Sequence, residues 1–557
     1  MASGPARGIS RGERLVLAGA VLLFVALVFA PVVQGFRQAL PDSRFLGFVG
    51  GYRLDYHGYF AWIRQAEDGH FLFRDMFTSE PHARVLFLPL FWLMGTLAKW
   101  TGLAPLAVWY ALHALGCAAM LVSAYRLFAE FTGDRRARLL ALALCAGAAG
   151  LGWATGQARG APDPSHAIDL WAVEASLLHG GLSLFLTLPI GLALMLESLR
   201  AFHRYLDGGR LRDAALGGLW ALLMSAVHLY EIPIVLAVAL SWTLLSGMRR
   251  LPGLALFGAL AVPYAAYGFG VTRLDPVLSR LGWDIVPPSI PATLLGLAPL
   301  LLPAAIAVAA PFVRRAHRGV WLLAAWVVIG LVATHLPVGF TVKHVWGLQV
   351  PLALLGALLF SALLERAAAA GAGALLGARA AVAVVLVAGV IGAGAQLVAM
   401  LNQPARHSPG DYLPRDNDAA LLWIDEHGGD GDVVLASRLV AVLVPGRTGL
   451  TVFEGHGAQT IERARKLEFV QMLFGPPERA DLGAIARILA RNRVRYVLLD
   501  RWSAEHAYGA AWRGTRFAFE PLCPEVFRNE RTIVWERRDH RPADETAYWP
   551  TGDWRGP

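Results

Sequence analysis

Long stretches without a charged residue recur through the first 400 positions, and no other feature limits the fold of this chain so strongly. Leu15–Val33, Trp100–Tyr125, Leu139–Ala158, Ala175–Leu196, Ala214–Tyr230, Ile232–Met248, Leu254–Val271, Ile290–Val313, Gly319–Val342, Val345–Leu364 and Ala380–Leu401 contain no Asp, Glu, Lys or Arg. An α-helix rises about 1.5 Å per residue, so about 20 apolar residues cross the hydrocarbon of a bilayer. The runs predict a polytopic α-helical membrane protein with about 11–13 crossings. Composition agrees, with 16% charged residues against roughly 25% in soluble domains.

The net charge of +9 does not point to nucleic acid once its distribution is read. Residues 405–557 hold 21 Lys/Arg and 22 Asp/Glu, which leaves 29 basic against 19 acidic residues in 1–404. That excess sits in short loops between apolar runs, where positive charge orients helices. Arg126, Arg135, Arg136 and Arg138, then Arg200, Arg204, Arg210 and Arg212, then Arg249 and Arg250, Arg314, Arg315 and Arg318, and Arg366 and Arg379 mark the cytoplasmic side. Loops 159–174, 272–289 and 335–344 are mixed or acidic and fall outside. Arg7, Arg11 and Arg14 precede the first run, and no A-x-A site follows it. It therefore reads as an uncleaved first span with a cytoplasmic N-terminus. The bacterial inner membrane is the expected location.

Val85–Ala98 has only 14 uncharged residues before Lys99. Treated as re-entrant or interfacial, it keeps the first loop and the C-terminal region on the same outer face. Gly152 and Gly156 suit close helix contacts, and the Gly/Ala stretch Gly371–Gly377 reads as a flexible cytoplasmic linker. After Leu401 the composition changes. Asp416–Glu426 and the amphipathic Leu482–Asn492 predict helices; Asp432–Ser437, Val494–Asp500 and Thr532–Glu536 predict strands. The expected division is a transmembrane domain over 1–404 with a large outer loop at 34–84, an extracytoplasmic α/β domain over 405–540, and a flexible tail over 541–557. Cys117, Cys145 and Cys523 have neither disulfide nor metal-ligand spacing.

The chemistry concentrates after the first span, in GYRLDYHGYFAWIRQAEDGHFLFRDMFTSEPHARVLFLPLFW. Asp55 stands among Tyr52, Tyr56, Tyr59, Phe60 and Trp62, a pattern of a helix lying in the interface. Its carboxylate suits a general base or a metal ligand; taken alone, an N-cap or a salt bridge to Arg53 or Arg64 is the simpler explanation. His57, Glu80 and His82 are possible companions, although their spacing matches no ligand motif. Loop 159–174 adds Asp163, His166, Asp169 and Glu174. His179 and the pair His228/Glu231 are polar groups inside or at the ends of apolar runs, where such residues line cavities or bond between helices. His228 and Glu231 share a helical face unless Pro233 breaks it. Lys343 and His344 stand at the outer end of a late run, as a phosphate grip or as snorkelling residues. Glu454, His456 and Thr460 lie in a Gly-flanked loop that reads first as turn chemistry, with a domain that caps the acceptor or donor site as the alternative.

The arrangement resembles the GT-C superfamily of polytopic glycosyltransferases, on its protein O-mannosyltransferase and aminoarabinose-transferase branch (glycosyltransferase family 39-like). Three segments carry the likeness: the acid-bearing first loop running into LFLPLFWLMGTLAKWTGLAP (Leu86–Pro105), FTVKHVWGLQVPLALLGALLF (Phe340–Phe360), and VPGRTGLTVFEGHGAQTIERARK (Val444–Lys466). The resemblance implies a GT-C-like bundle with a C-terminal soluble domain, and a polyprenyl-phosphate-linked sugar donor used on the outer face. It implies Asp55 as the essential acid and general base, with Asp163 or Asp169 as a second acid. Lys343, with His344, would hold the donor phosphate. This chain carries a single Asp–Tyr in place of a paired acidic motif, so a divalent metal (Mg or Mn) stays an open expectation. The expected partners are the lipid-linked donor, the bilayer and an acceptor of unidentified class. Two other classes stay open: a transporter or flippase, which would usually show paired internal repeats or broken helices in two halves, neither of them read here, and a non-catalytic scaffold that uses its outer domain for assembly. A non-catalytic scaffold would not bind lipid-phosphate sugars.

Overall fold

A computed structural model describes residues 8–50, 53–151, 177–282, 289–317, 319–336, 341–475, 481–509, 512 and 517–538. The chain divides into two compact units. One comprises Met1–Val33, Trp109–Gly268 and Asp284–Asn402; the other comprises Gln34–Val108, Phe269–Trp283 and Gln403–Pro557.

The first unit is helical. Among the described residues seven helices are long and apolar enough to cross a membrane: Arg11–Arg37, Pro105–Phe131, Leu229–Ser246, Met248–Leu274, Ile290–Ala309, Lys343–Ala370 and Ala372–Arg406. The protein is an integral membrane protein. Other apolar runs form shorter or more polar helices at Arg135–Gly147, Thr187–Gly208, Leu211–Val227 and Val320–Thr334. The run expected to cross as Ala175–Leu196 is instead broken: a short helix, Leu177–Leu182, ends before Leu184, whose φ is +54°. The Trp109 indole N–H donates to the Leu184 carbonyl at 3.1 Å, satisfying a backbone oxygen released by the break. Helix Gln349–Ala370 is the axis of this unit, with every residue from Gln349 to Ser361 buried.

Gly371–Gly377 is not a linker. Gly371, at φ +118°, ends one helix, and Ala372–Asn402 begins at once. The alanines there favour helix strongly enough to carry Gly373 and Gly377, each a penalty of about 1 kcal/mol. The arginines expected on one side of the bundle are drawn into shared ion pairs. Arg126 pairs with Glu197 at 3.0 Å, Arg200 bridges Glu197 and Glu130, and Arg138 meets Glu13 at 2.9 Å. Cys117 and Cys145 are unbonded and buried, as is Cys523 in the second unit.

The second unit joins the first loop to the C-terminal region. Strand β1 (Ser43–Phe45) pairs antiparallel with β2 (Tyr412–Pro414). Strands β3 (Val433–Ala436), β4 (Thr451–Val452), β5 (Val494–Asp500), β6 (Glu525–Arg528) and β7 (Thr532–Glu536) form a mixed sheet in the order β4-β3-β5-β7-β6. Successive side chains of a strand point to opposite faces, and the sheet sorts accordingly. Val433, Leu435, Val497, Leu499, Ile533 and Trp535 pack with Phe469, Leu473 and Ile485 from helices Arg463–Phe474 and Leu482–Arg491. Val434, Ala436, Leu498 and Val534 face the other way, onto Leu421 and Ile424 of helix Arg415–His427 and onto Ala61, Met76 and Phe77 of the first loop. The first loop thus covers part of one face of the sheet. The seam at Asn402/Gln403 lies beside the expected boundary, but the compact unit beyond it also contains 34–108 and 269–283.

The segment after the loop forms helix Pro89–Thr101, 13 residues long. At about 1.5 Å per residue it is too short to cross a bilayer. It lies tightly on helix Arg53–Glu67: a Cβ at Gly95 would stand 2.4 Å from the Ile63 carbonyl oxygen and 2.5 Å from the Ala66 Cβ.

Candidate active site

Helix Arg53–Glu67 carries Asp55 in its first turn, where a carboxylate is favoured by the helix dipole. Its neighbours hold the helix rigidly. Tyr56 is fully buried and stacks on Phe48 at 4.2 Å, Tyr59 stacks on Phe91 at 4.8 Å, and Arg64 binds Asp425 at 2.9 Å. Burial pushes the Tyr56 hydroxyl well above its ordinary range, with the Asp55 charge adding to it. Asp55 itself keeps 27% of its side chain exposed. A helix stands where the aromatic pattern predicts one, with several of its aromatics turned into protein.

His456 lies against Asp55. Its Nε2 is 3.8 Å from Asp55 Oδ1, and the ring is 1% exposed. Its Nδ1 accepts from the backbone N–H of Ala458 at 3.2 Å and of Gln459 at 3.3 Å. A backbone amide can only donate, so in the neutral ring the proton is on Nε2. Burial, assisted by Arg463, pushes the imidazolium down to about 4, which keeps the ring neutral at physiological pH. Gly58 permits the approach, since a Cβ there would meet the Gln459 side chain at 3.1 Å and the His456 ring at 3.7 Å.

Behind this pair, loop 73–86 is closed by paired backbone bonds between Phe73 and Leu86. Gln65 clamps it by donating to the Arg74 carbonyl at 3.1 Å and accepting from the Arg74 N–H at 3.0 Å. Within it, Glu80 is buried and pairs with fully buried Lys466 at 2.7 Å. Thr78 also contacts the Glu80 carboxylate, while Lys466 donates to Thr78 Oγ1 and Ser79 Oγ. His82 donates from Nδ1 to the Glu80 carbonyl and accepts at Nε2 from the Asp75 N–H. Asp75 is buried, and desolvation raises it to about 7 although the Phe77 N–H and Lys466 oppose the rise.

These contacts decide what the sequence left open. Glu80 and His82 are consumed in fastening the loop, and His456 offers an N–H to Asp55 rather than a lone pair. His57 is buried on the Asp55 helix. Among the described residues no three His, Cys, Asp or Glu side chains are grouped to hold a metal. Asp163 and Asp169, with the rest of loop 159–174, lie outside the described residues.

In the membrane unit the remaining candidates form two groups. His228 caps helix Leu211–Val227 and contacts the fully buried Glu231 through its Nδ1. The helix stops at His228, a 3-10 turn follows over Leu229–Glu231, and Pro233 lies in the first turn of the next helix rather than breaking one. Trp346 packs on the His228 ring at 5.0 Å. His344 approaches the carbonyls of Tyr230 at 3.2 Å and Ala333 at 3.3 Å, so the segment bearing Lys343 is tied to the His228 turn. His179 instead contacts Gln396, and Gln349 accepts from the Leu177 N–H at 2.8 Å.

His456 does the turn chemistry expected of it, its Nδ1 accepting from the Ala458 and Gln459 N–H groups, and its ring also lies against Asp55. Glu454 and Thr460 do serve local structure, Glu454 pairing with Arg463 at 2.9 Å and Thr460 donating to the Phe77 carbonyl at 2.8 Å.

No family model and no curated protein matches the chain. Solved structures do. An oligosaccharyltransferase of Archaeoglobus fulgidus, tethered with an acceptor peptide, aligns over 86% of this chain and 69% of its own with TM-score 0.51 and 13% identity. ArnT of Cupriavidus metallidurans, bound to undecaprenyl phosphate, aligns over 93% and 98% with TM-score 0.51 and 14% identity. The mycobacterial arabinofuranosyltransferase AftD aligns over 97% of this chain with TM-score 0.57 and 15% identity, and this chain spans 40% of its length. All three are GT-C glycosyltransferases. The chain has the GT-C fold, with a C-terminal domain built on a small mixed sheet.

Proposed function

We propose that this protein is a glycosyltransferase that moves a sugar from a polyprenyl-phosphate donor to an extracytoplasmic acceptor, with Asp55 as general base. The observation that carries the reading is the placement of Asp55. It is the partly exposed carboxylate on the first turn of an anchored helix, with a neutral imidazole N–H facing it. The fold shared with ArnT, which was crystallised with undecaprenyl phosphate, supports the donor class. The N-terminus is assigned to the cytoplasm from the arginine distribution.

In the reaction the acceptor heteroatom bonds to the anomeric carbon with inversion. The bond from that carbon to the phosphate oxygen breaks, its electron pair leaves with the lipid phosphate, and Asp55 takes the acceptor proton. Lys343 offsets the charge on the departing phosphate. Asp163 is proposed as a second acid on resemblance alone. The test is Asp55→Asn in nanodiscs supplied with polyprenyl-phosphate sugars. Transfer is expected to fall by about 10²–10⁴-fold with an unchanged melting temperature. Full transfer by that variant removes the base assignment.

A further inference from the structure

We propose that His456 is a positioning residue for Asp55: its Nε2–H, fixed by two backbone amides on the opposite ring nitrogen, holds Oδ1 and so sets the direction in which the carboxylate faces the acceptor. The inference rests on the reading of Asp55 as the base. It adds a residue from the C-terminal region, 401 positions later in the chain, to the machinery of the first loop.

Three observations converge. The tautomer is set by covalent chemistry, because the N–H groups of Ala458 and Gln459 both point at Nδ1 and neither can accept. The ring is buried and sits at 5.3 Å from the Phe77 ring, which limits its tilt. The proton-bearing nitrogen then lies 3.8 Å from Oδ1, about 0.6 Å beyond the reach of an N–H···O hydrogen bond. Catalytic hydrogen bonds are often long before substrate binds and tighten in the complex.

The same geometry separates this role from metal binding. A metal-ligating histidine presents a lone pair to the ion and usually donates through its other nitrogen. Here the other nitrogen accepts, so a lone pair at Nε2 would require an imidazolate or the loss of both backbone bonds. A purely structural histidine would need only its Nδ1 acceptor. The two roles are therefore separable by substitution: Asn reproduces the Nδ1 position as an acceptor oxygen, while Gln reaches the Nε2 position with a donor.

The experiment uses the full-length protein in micelles, labelled with ¹⁵N in its 16 histidines, with His456→Asn identifying the His456 signals. The expected spectrum has a bare Nδ1 and a protonated Nε2, and Asp55→Asn shifts the Nε2 resonance while Asp68→Asn leaves it unmoved. A proton on Nδ1, a doubly protonated ring, or indifference to Asp55→Asn overturns the proposal. Turnover is then measured with an undecaprenyl-phosphate sugar as donor. His456→Asn is expected to lower kcat roughly tenfold at unchanged donor KM, as befits a lost hydrogen bond to a charged group, while His456→Gln keeps most of it. Equal activity of the two variants overturns the positioning role while leaving an inactive Asp55→Asn to support the base assignment. An active Asp55→Asn overturns both.

Discussion

Lys466 Nζ lies 2.7 Å from Oε2 of Glu80, and neither side chain has meaningful access to water. The pair joins a C-terminal helix to the first loop across 386 positions of sequence. Burial lowers the lysine while the Glu80 charge and its hydrogen bond raise it, with burial the larger effect. Removing one member leaves the other charged and buried, at a cost of about 3–5 kcal/mol, whereas replacing both by apolar residues is often near neutral. Lys466→Met and Glu80→Leu are each expected to lower the melting temperature of the micellar protein sharply, and the double variant to recover much of the loss. Additive losses would show that the pair is not coupled.

Asp75 carries a pH dependence of stability. It ionises near 3.8 in the unfolded chain and at about 7 in the folded protein. Between those values the folded state holds the extra proton, so the contribution of Asp75 to stability falls as pH rises through the window and is fully unfavourable above it. Asp75→Asn keeps an acceptor for the Phe77 N–H, bonded at 2.8 Å in the native protein, and cannot ionise. The two proteins are expected to melt alike near pH 4. At pH 8 the variant is more stable by on the order of 4 kcal/mol. Thermal scans at several pH values compare them, and a gap independent of pH refutes the assignment.

How much of this was legible in the sequence follows from the range of the interactions. The strands at Val494–Asp500 and Thr532–Glu536 and the helix at Leu482–Arg491 are local patterns, readable from alternation and periodicity alone. Asp55 stands out in the sequence as an acid among aromatics, and the GT-C resemblance is what makes it the candidate base. The bonds that give it a setting are not local: Tyr56 with Phe48 is near in sequence, but His456, Lys466 and Asp425 arrive from the far end of the chain. Glu80 and His82 looked like candidate ligands because composition cannot reveal that Lys466 and the Asp75 amide occupy them. The break at Leu184 was hidden for a related reason, since an indole from another helix catches the exposed carbonyl.

Lys343 is expected to act on donor affinity. It stands in the 3-10 turn Thr341–Val345, whose neighbour His344 is tied to the Tyr230 and Ala333 carbonyls, so the turn has a fixed backbone. Lys343→Ala is expected to weaken binding of undecaprenyl phosphate roughly tenfold or more, in the range of a charge-assisted hydrogen bond, and Lys343→Arg to retain most of it. Titration of nanodisc-held protein with the lipid measures both. Equal affinity of wild type and Lys343→Ala would leave the snorkelling role alone.

Gly95 provides the last test, because the Asp55 helix depends on how closely helix Pro89–Thr101 can approach it. A methyl group at Gly95 would meet the Ile63 carbonyl at 2.4 Å and the Glu67 nitrogen at 3.0 Å, both backbone atoms that cannot swing aside. Overpacking of this kind costs about 1–3 kcal/mol. Gly258, on helix Leu251–Leu274, has nothing within 4 Å of an added Cβ and serves as the control. Alanine there gains helix propensity of about 1 kcal/mol. Gly95→Ala should therefore lower the melting temperature and Gly258→Ala hold or raise it. Because displacement of the helix moves Asp55, Gly95→Ala should also reduce transfer by more than its loss of folded protein accounts for. A variant that melts early yet turns over normally per folded molecule would mean that Asp55 is placed by the contacts around Tyr56 and Arg64 alone.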